Sequence, residues 1–486
     1  MGVSFYVTLG IYMVILIIIG VFFSRRSKSF DDYFLAGRNL GIWQTTATNL
    51  ASWAGAGVVI GFTGYFFEGG YSMIWIAIPT AIGVYAFAFL LSRRISNIRQ
   101  YTIPDLLELR YSKTAKYVGG VFILIYMIGL TAANFMAAGW ILNVVTGLQF
   151  EIGMIIAAVV IVAYTMMGGL KAVVWTDIFQ WIILSIGIIL AIIFVLMRLG
   201  GWSEMHATIA ASEETSWMLY PMAVFDIKTI ISFFFIFTLP FIIDPIMYQR
   251  CYAARTPRIA RLAVTYTGIF DGFLTFAAIV IAFGAVILFG SVEGFAPDSS
   301  FPMIVKEAIP GYAGVFILVA LIAAVMSSAD TTLLVSGGTV SQDYYKPIAK
   351  NPNERTAKKI TIIAVPIIAI LALFLAWQFE YIMEVCIFAF SVFVAGAVVP
   401  IIGAFYFKRG TNAGAIASMI GGGGIAIAWK ILGEPFGYDP VLPGLALSII
   451  LYFVISYCTR RPDPSKIEPF LKSNEEVSKD TGTAVN

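Results

Sequence analysis

The sequence predicts an all-α polytopic membrane protein, and three observations support this prediction. Hydrophobic residues fill 59% of the 486 positions and charged residues only 12%, whereas about 25% of the residues in a soluble domain are charged. Apolar runs of about 20 residues, each long enough to cross a hydrocarbon core of about 30 Å, recur along the whole chain. Lys and Arg residues are concentrated in alternate loops between these runs.

The apolar runs predict thirteen transmembrane helices. They lie near residues 4–24, 42–62, 72–92, 118–146, 151–168, 174–199, 227–249, 259–290, 312–342, 358–378, 381–406, 411–430 and 441–458. Of the 31 Lys and Arg residues, 27 lie in the loops after the odd-numbered runs, one of which is the loop 250–261. Because cytoplasmic loops are enriched in these residues, we expect a plasma (inner) membrane protein with its N-terminus outside and its C-terminus in the cytoplasm.

The composition also argues against several function classes. The chain has one histidine, no nucleophile–base pair and no cofactor motif, so it is not predicted to be an enzyme. Its three cysteines are scattered and indicate neither a disulfide framework nor a zinc site. Residues 459–486 form a polar tail that is predicted to be disordered and is too short for the output domain of a sensor. We expect a monomer in the lipid bilayer, with no nucleic-acid partner.

The most unusual segment is the polar octet at residues 324–331, which interrupts a fully apolar run. An aspartate at membrane depth, such as Asp330, costs about 2.5 to 3.5 kcal/mol and therefore needs a partner. That partner is either an unidentified Lys or Arg or a bound cation. Lys and Arg are nearly absent from the apolar runs, which favours a bound cation.

A second irregularity lies in the run 42–62, where residues 51–57 read ASWAGAG. Glycine in a helix interior costs about 1 kcal/mol relative to alanine, so this broken segment needs an explanation. One interpretation is close packing of small residues against a neighbouring helix. The other is an interrupted helix whose freed carbonyl groups coordinate a cation. The glycines alone favour neither interpretation.

Four motifs in this order resemble those of the sodium/solute symporter family, which includes sodium-coupled proline, pantothenate, sugar and sialic acid transporters. They are residues 30–38 (FDDYFLAGR), 168–177 (GGLKAVVWTD) with Gln180, 324–328 (AVMSS), and Arg409-Gly410 with Gly414-Ala415. The resemblance implies a leucine-transporter-like core of two five-helix inverted repeats. Its implied parts are a peripheral helix and first inner loop (1–41), repeat one (42–199), repeat two (227–406) and two C-terminal helices (407–458). Rocking of the repeats about a central site would give alternating access.

The resemblance also implies a sodium site made of backbone carbonyls and hydroxyls. The positions that match are the carbonyls of Ala51, Ala54 and Ala324 and the hydroxyls of Ser327 and Ser328. Oxygen ligands of this kind suit a hard cation. The alternative for the two serines is that each hydroxyl bonds back to a carbonyl one turn earlier in its own helix.

Some members of the family have a second sodium site, which matches Asp177 and two positions that are Asp330 and Thr331 in this chain. This chain therefore has a carboxylate where those relatives have a hydroxyl. Two sodium ions would neutralise Asp177 and Asp330, whereas one ion would leave a negative charge that a proton on Asp330 could relieve. The hypothesis is that the protein binds two cations, or one sodium ion and one proton.

Three residues are candidates for the solute site: Trp53, Gly55 and Asp271. Asp271 matches in position a lysine that contacts substrate in the sugar-transporting branch. A buried carboxylate suits an ammonium group better than an anion, although a hydrogen bond between helices would also explain it. The run 118–146 lacks the arginine of the sialic acid branch, which argues against that substrate.

We therefore expect a sodium-coupled symporter that imports a small organic solute, such as proline or another zwitterion. A proton-coupled or mixed sodium/proton symporter is the alternative, as is a sugar or a carboxylate such as pantothenate for the solute. The pair Asp244-Pro245, together with Tyr248, predicts a kink or an inner gate.

Overall fold

The computed structural model of the chain describes residues 2–24, 30–55, 57–168, 170–290, 292 and 294–471. Some predicted features lie outside these ranges, namely Ala56, Gly169, the cations at 25–28 and residues 472–486 of the tail. Over the described ranges the chain is helical, and its β-structure there is limited to one isolated bridge between Leu40 and Ala254.

The helices follow one another with short connections. In the first half of the chain they are Gly2–Ser24, Phe30–Leu35, Ile42–Trp53, Phe62–Gly69, Ile74–Ala86, Ser92–Ile98, Ile103–Arg110, Lys113–Thr146, Phe150–Gly168, Leu170–Arg198 and Trp202–Ala211. In the second half they are Ile227–Ile242, Pro245–Ala253, Pro257–Phe289, Ser300–Ala308, Gly311–Thr339, Lys346–Ile348, Glu354–Ala376, Ile382–Phe393, Val399–Tyr406, Asn412–Ile431, Val441–Cys458 and Pro464–Leu471. Wider π-helical turns join some of them, at Gly57–Gly61, Phe87–Leu91, Val340–Tyr345 and Val394–Val398.

Among the described residues, 11 helices are long and apolar enough to cross a membrane. A shorter apolar helix, Phe150–Met166, accompanies them. One of the 11, Gly57–Ile98, has 42 residues and joins parts of two predicted runs. The chain is therefore a multi-pass membrane protein, and the count of thirteen spans stays a prediction.

The helix Gly311–Thr339, here called the serine helix, lies at the centre of the bundle. Every residue from Ile317 to Thr339 is buried, which includes the whole polar octet. The serine helix packs against Lys113–Thr146, Leu170–Arg198 and Ile42–Trp53. The polar groups of the octet can therefore be satisfied only by other parts of the protein or by a bound ligand.

Two helices are interrupted on either side of this centre. The first leaves helical geometry after Trp53 and becomes helical again at Gly57, so it is an interrupted helix; we call Ile42–Trp53 and Gly57–Gly69 the broken helix. The second is the predicted kink. Asp244 accepts a hydrogen bond from the Met247 backbone N–H at 2.8 Å, and Pro245 begins the new helix. Every residue of that short helix, Pro245–Ala253, is buried.

The predicted disorder of residues 459–486 is wrong for part of this segment. Pro464–Leu471 form a helix, and the buried Phe470 ring lies 5.4 Å from the ring of Phe405. The polar composition of the tail obscured this one aromatic anchor, which covers apolar surface on the bundle.

Asp298 links two helices of the bundle at one end. It lies in the short turn Pro297–Ser299, directly before the short helix Ser300–Ala308. Its Oδ2 accepts a hydrogen bond from the Ile382 N–H at 2.8 Å, and its Oδ1 lies against Gly64 of the broken helix. The pKa of Asp298 is raised to about 7, chiefly by burial; the hydrogen bond from Ile382 lowers this pKa, and the nearby Glu68 and Glu384 carboxylates raise it.

This pKa predicts a pH-dependent stability. Because the folded-state pKa exceeds the ordinary value of 3.8, the contribution is fully present below about pH 4 and is lost as pH rises through about 7. The loss is at most about 4 kcal/mol. We expect Asp298→Asn to match the wild type near pH 4 and to exceed its thermal stability at pH 8. Asp226→Asn is the control, because this exposed residue has a lowered pKa and does not titrate in that window. Parallel stability curves for Asp298→Asn and the wild type would contradict the prediction.

Candidate cation and solute sites

The two serines of the octet lie against the end of the broken helix. Ser327 Oγ donates to the Ala51 carbonyl at 2.8 Å and to the Ala324 carbonyl at 2.9 Å. Ser328 Oγ lies 3.2 Å from the Ala51 carbonyl and 2.9 Å from that of Ser52. The bond from Ser327 to Ala324 is the local back-bond proposed as an alternative. The contacts of both serines with Ala51 show that the hydroxyls also meet another helix.

These oxygens fit a sodium ion. Carbonyls and hydroxyls are hard, neutral ligands, and the helix end supplies carbonyls that have no partner within the helix. The residues that would hold the ion are Ala51, Ala324, Ser327 and Ser328, together with the Ser52 carbonyl, which was not predicted. Ala54 is buried directly beyond the helix end, and its role as a ligand stays a prediction.

Gly55 explains how the serine helix approaches so closely. A Cβ atom on Gly55 would lie 2.4 Å from Ser328 Oγ and 2.6 Å from Ser328 Cβ. Any larger residue must therefore displace the Ser328 side chain. The close packing and the interrupted helix, which were two interpretations of the same glycines, are both present in the structure.

The second candidate cation site contains a residue that the sequence reasoning missed. Arg250, which is fully buried, lies with its Nη2 3.6 Å from Asp177 Oδ2. The same Nη2 donates to Thr331 Oγ1 at 3.1 Å and to Ser52 Oγ at 3.2 Å. Thr331 Oγ1 lies 3.4 Å from Asp330 Oδ1. A guanidinium group therefore lies among the residues that were predicted to bind a second sodium ion.

Two more contacts complete this cluster, here called the arginine cluster and defined by Thr48, Ser52, Asp177, Arg250, Asp330 and Thr331. The Thr48 hydroxyl donates to Asp177 Oδ2, and Arg250 Nε donates to Thr48 Oγ1 at 3.2 Å. Within the described part of the chain, Asp177 Oδ1 and Asp330 Oδ2 are buried oxygens without a hydrogen-bond donor. The two carboxylates and one guanidinium have a formal charge of −1.

The search of the apolar runs for a cation missed Arg250, which pairs with Asp177 and contacts Asp330 only through Thr331. Arg250 was assigned to the loop 250–261, but the kink at Pro245 starts a buried helix that carries Arg250 into the core. The signal in the sequence was the Asp-Pro pair six residues earlier, which caps and starts a new helix instead of ending the old one.

A cavity lies beside Ser328, between the broken helix and the helices on either side of the kink at Pro245. Ser328, Trp53 and Gly55 line it, so two of the three predicted solute residues are on its wall. Most of the remaining surface is apolar and aromatic. The aromatic residues on the wall are Trp53, Phe62, Tyr126, Phe237, Phe241 and Phe390.

Asp271 is placed differently from the prediction. It is buried, but it is not among the residues that line the cavity. Its Oδ1 accepts a hydrogen bond from Trp53 Nε1 at 2.7 Å. The packing alternative therefore describes this contact, and Asp271 positions the Trp53 ring, whose centroid lies 4.6 Å from that of Phe241. The carboxylate on the cavity wall is instead Asp244.

Solved structures with this arrangement are membrane transporters with the leucine-transporter fold. A substrate-bound, outward-open sodium-coupled sialic acid symporter matches with a TM-score of 0.80 and 16% identity, covering 95% of this chain and 99% of that chain. MhsT in complex with L-phenylalanine matches with a TM-score of 0.57 and 15% identity, covering 88% and 97% of the two chains. At these identities the likeness establishes the fold.

The sequence comparisons give the family. Residues 33–422 match the profile of the sodium:solute symporter family, and the chain belongs to that family. Relatives named sodium/proline symporter, from Staphylococcus aureus strains JH9 and JH1, are 27% identical over 480 residues, which is 94% of this chain and 93% of theirs. This is a family of transporters, and the chain is a multi-pass membrane protein of that family.

Proposed function

We propose that this protein is a sodium-coupled symporter that imports a small zwitterionic solute, such as an amino acid, by alternating access. The observation that carries the proposal is the contact of Ser327 and Ser328 with the Ala51 carbonyl at the edge of the cavity. An ion held there joins the broken helix to the serine helix. Because Ser328 also lines the cavity, sodium binding and solute binding affect the same residues, as coupling requires.

The charge of the arginine cluster supports one sodium ion per solute. The formal charge of −1 on Asp177, Asp330 and Arg250 becomes zero when one sodium ion binds at the neighbouring serine site. A buried uncompensated charge is strongly unfavourable, so the cluster favours this state. Arg250 then takes the place of the second cation that was expected from Asp177 and Asp330. When bound, the sodium ion supplies the positive charge that the cluster lacks.

The solute class rests on the cavity and on the relatives. The wall combines aromatic surface with one carboxylate, which suits a compact organic solute that carries a positive charge. The names of the sodium/proline symporters are consistent with an amino acid. We also propose that the protein is located in the plasma membrane, with its N-terminus outside and its C-terminus in the cytoplasm, and that it functions as a monomer.

Uptake into proteoliposomes tests the proposal. Radiolabelled L-proline and a mixture of labelled amino acids should accumulate when an inward sodium gradient is imposed, and not when potassium replaces sodium. The initial rate should depend on sodium concentration with a Hill coefficient of about 1. Accumulation under a proton gradient in sodium-free buffer would support the proton-coupled alternative instead, and a Hill coefficient near 2 would contradict the single sodium ion.

A further inference from the structure

Asp244 is the one charged residue among the described residues that line the cavity. It is buried, with 5% of its surface exposed. Its Oδ1 accepts the Met247 N–H at 2.8 Å, and its Oδ2 accepts the Tyr126 hydroxyl at 3.0 Å. The carboxylate therefore lies at the kink, at the first turn of Pro245–Ala253.

The capping role of Asp244 does not require its charge. A neutral asparagine or serine caps a helix about as well as an aspartate, since the cap needs only an oxygen acceptor. The helix N-terminus attracts an anion, but this attraction offsets only part of the cost of burying a carboxylate beside apolar surface. Arg250, on the same short helix, is already engaged with Asp177 and Thr331.

The surroundings of Asp244 favour a positively charged group in the cavity. The wall facing it includes the rings of Phe237, Phe241 and Phe390, with the rings of Phe241 and Phe390 5.5 Å apart. Aromatic faces attract cations electrostatically, and they also exclude the water that would otherwise solvate the carboxylate. The two effects act in the same direction only for a ligand that is both cationic and partly apolar.

We propose that Asp244 and Tyr126 form the binding site for a protonated or quaternary amine of the transported solute. This inference rests on the proposed function and names the chemical group that the cavity selects. The amine nitrogen pairs with the Asp244 carboxylate, Tyr126 orients that carboxylate through its hydroxyl, and the aromatic rings cover the carbon atoms bonded to the nitrogen. Neutral sugars and simple carboxylates lack the required charge and are rejected.

Matched pairs of ligands test the amine directly on the full-length wild-type protein. L-Proline is compared with tetrahydrofuran-2-carboxylate, in which oxygen replaces the ring nitrogen, and glycine betaine with 3,3-dimethylbutanoate, in which carbon replaces it. Calorimetry in sodium chloride and in potassium chloride measures binding. We expect sodium-dependent binding of at least one amine, and an affinity at least about 30-fold lower for the matched carboxylate that lacks the ammonium charge.

The variant Asp244→Asn keeps the helix cap and removes the charge. We expect it to lose at least about 30-fold in affinity for the amine, while thermal stabilisation by sodium alone remains unchanged. Asp298→Asn is the matched control, because Asp298 is also a buried carboxylate that accepts a backbone N–H, and it does not line the cavity. If Asp244→Asn does not fold, Tyr126→Phe tests the same site, and we expect a smaller loss of affinity for the amine.

The possible outcomes separate the inference from the proposed function. Equal affinity for an amine and for its matched carboxylate without the ammonium charge overturns the amine site and leaves symport intact. Unchanged amine affinity in Asp244→Asn does the same. Sodium-dependent binding of D-glucose or pantothenate, without binding of any amine, also overturns the amine site and leaves symport intact. If no probe binds in a sodium-dependent way and sodium itself does not stabilise the wild type, both proposals fail.

Discussion

Replacing Arg250 with glutamine is expected to destabilise the protein by about 3 to 5 kcal/mol in sodium-free buffer, and sodium should recover much of this loss. Removal of one partner from a buried ion pair leaves the other charge uncompensated, which is the cause of the large effect. In this variant Asp177 and Asp330 would both be buried without the guanidinium that lies 3.6 Å from Asp177. A second sodium ion could then replace Arg250.

Thermal unfolding at increasing sodium concentration, with potassium holding the ionic strength constant, measures this effect. An ion that binds only the folded state stabilises it by RT ln(1 + [L]/Kd) for each site. The stability of the wild type should therefore rise with the slope of one site at high sodium, and that of Arg250→Gln with the slope of two sites. The slope gives the number of ions without any measurement of transport.

Two comparisons make the Arg250 result specific. Arg110 is also buried, but it donates to the Phe407 and Lys408 carbonyls, so Arg110→Gln should destabilise without additional recovery by sodium. The double variant Arg250→Gln, Asp177→Asn should be more stable than Arg250→Gln alone, because one of the two carboxylates is neutral. If Arg250→Gln and Arg110→Gln respond equally to sodium, Arg250 does not act as a tethered cation.

The contact between the two serines and the broken helix was predicted from the sequence in two steps. The residues around Ser327 and Ser328 are polar in an otherwise apolar run, and the glycines near Ala51 disturb a second run, so each segment was recognised as irregular. The resemblance to the symporter family then implied that the two segments meet. The structure brings them within hydrogen-bond distance.

Arg250 could not be predicted by the same reasoning. Counting cations per loop assigns a residue by its position along the chain, and residue 250 follows directly after an apolar run. Its location depends on the kink at Pro245, which changes the direction of the helix after the run has been counted. The direction in which a side chain points also explains why Asp271 was wrongly expected to face the solute. Its depth was predicted correctly, but its rotation about the helix axis turns it toward the Trp53 indole instead of the cavity.

Replacing Ser328 or Ser327 with alanine is expected to weaken sodium binding by about 10- to 100-fold or more. The range is the one measured when groups that only support metal ligands are removed, and the loss of a ligand should be at least as large. Each variant removes one of the two hydroxyls that contact the Ala51 carbonyl. The sodium concentration that gives half-maximal uptake should rise, and the concentration needed for a given thermal stabilisation should rise by the same factor.

Ser336→Ala is the matched control for the two serine variants. Ser336 is buried on the same serine helix, but among the described residues its hydroxyl donates to the Thr332 carbonyl alone, at 2.7 Å and one turn earlier. If the hydroxyls of Ser327 and Ser328 served only their own helix, all three variants would behave alike. Equal sodium affinities in the three variants would therefore contradict the serine site.

The solute affinity of the serine variants distinguishes a lost ligand from a damaged cavity. Linkage requires sodium to raise the affinity for the solute by the same factor by which the solute raises the affinity for sodium. In Ser327→Ala, which leaves the lining residues intact, the solute affinity should fall at low sodium and recover when sodium saturates the weakened site. Ser328→Ala also changes the cavity wall, so its recovery should be incomplete. This difference between neighbouring serines would place the contact between cation and solute at Ser328.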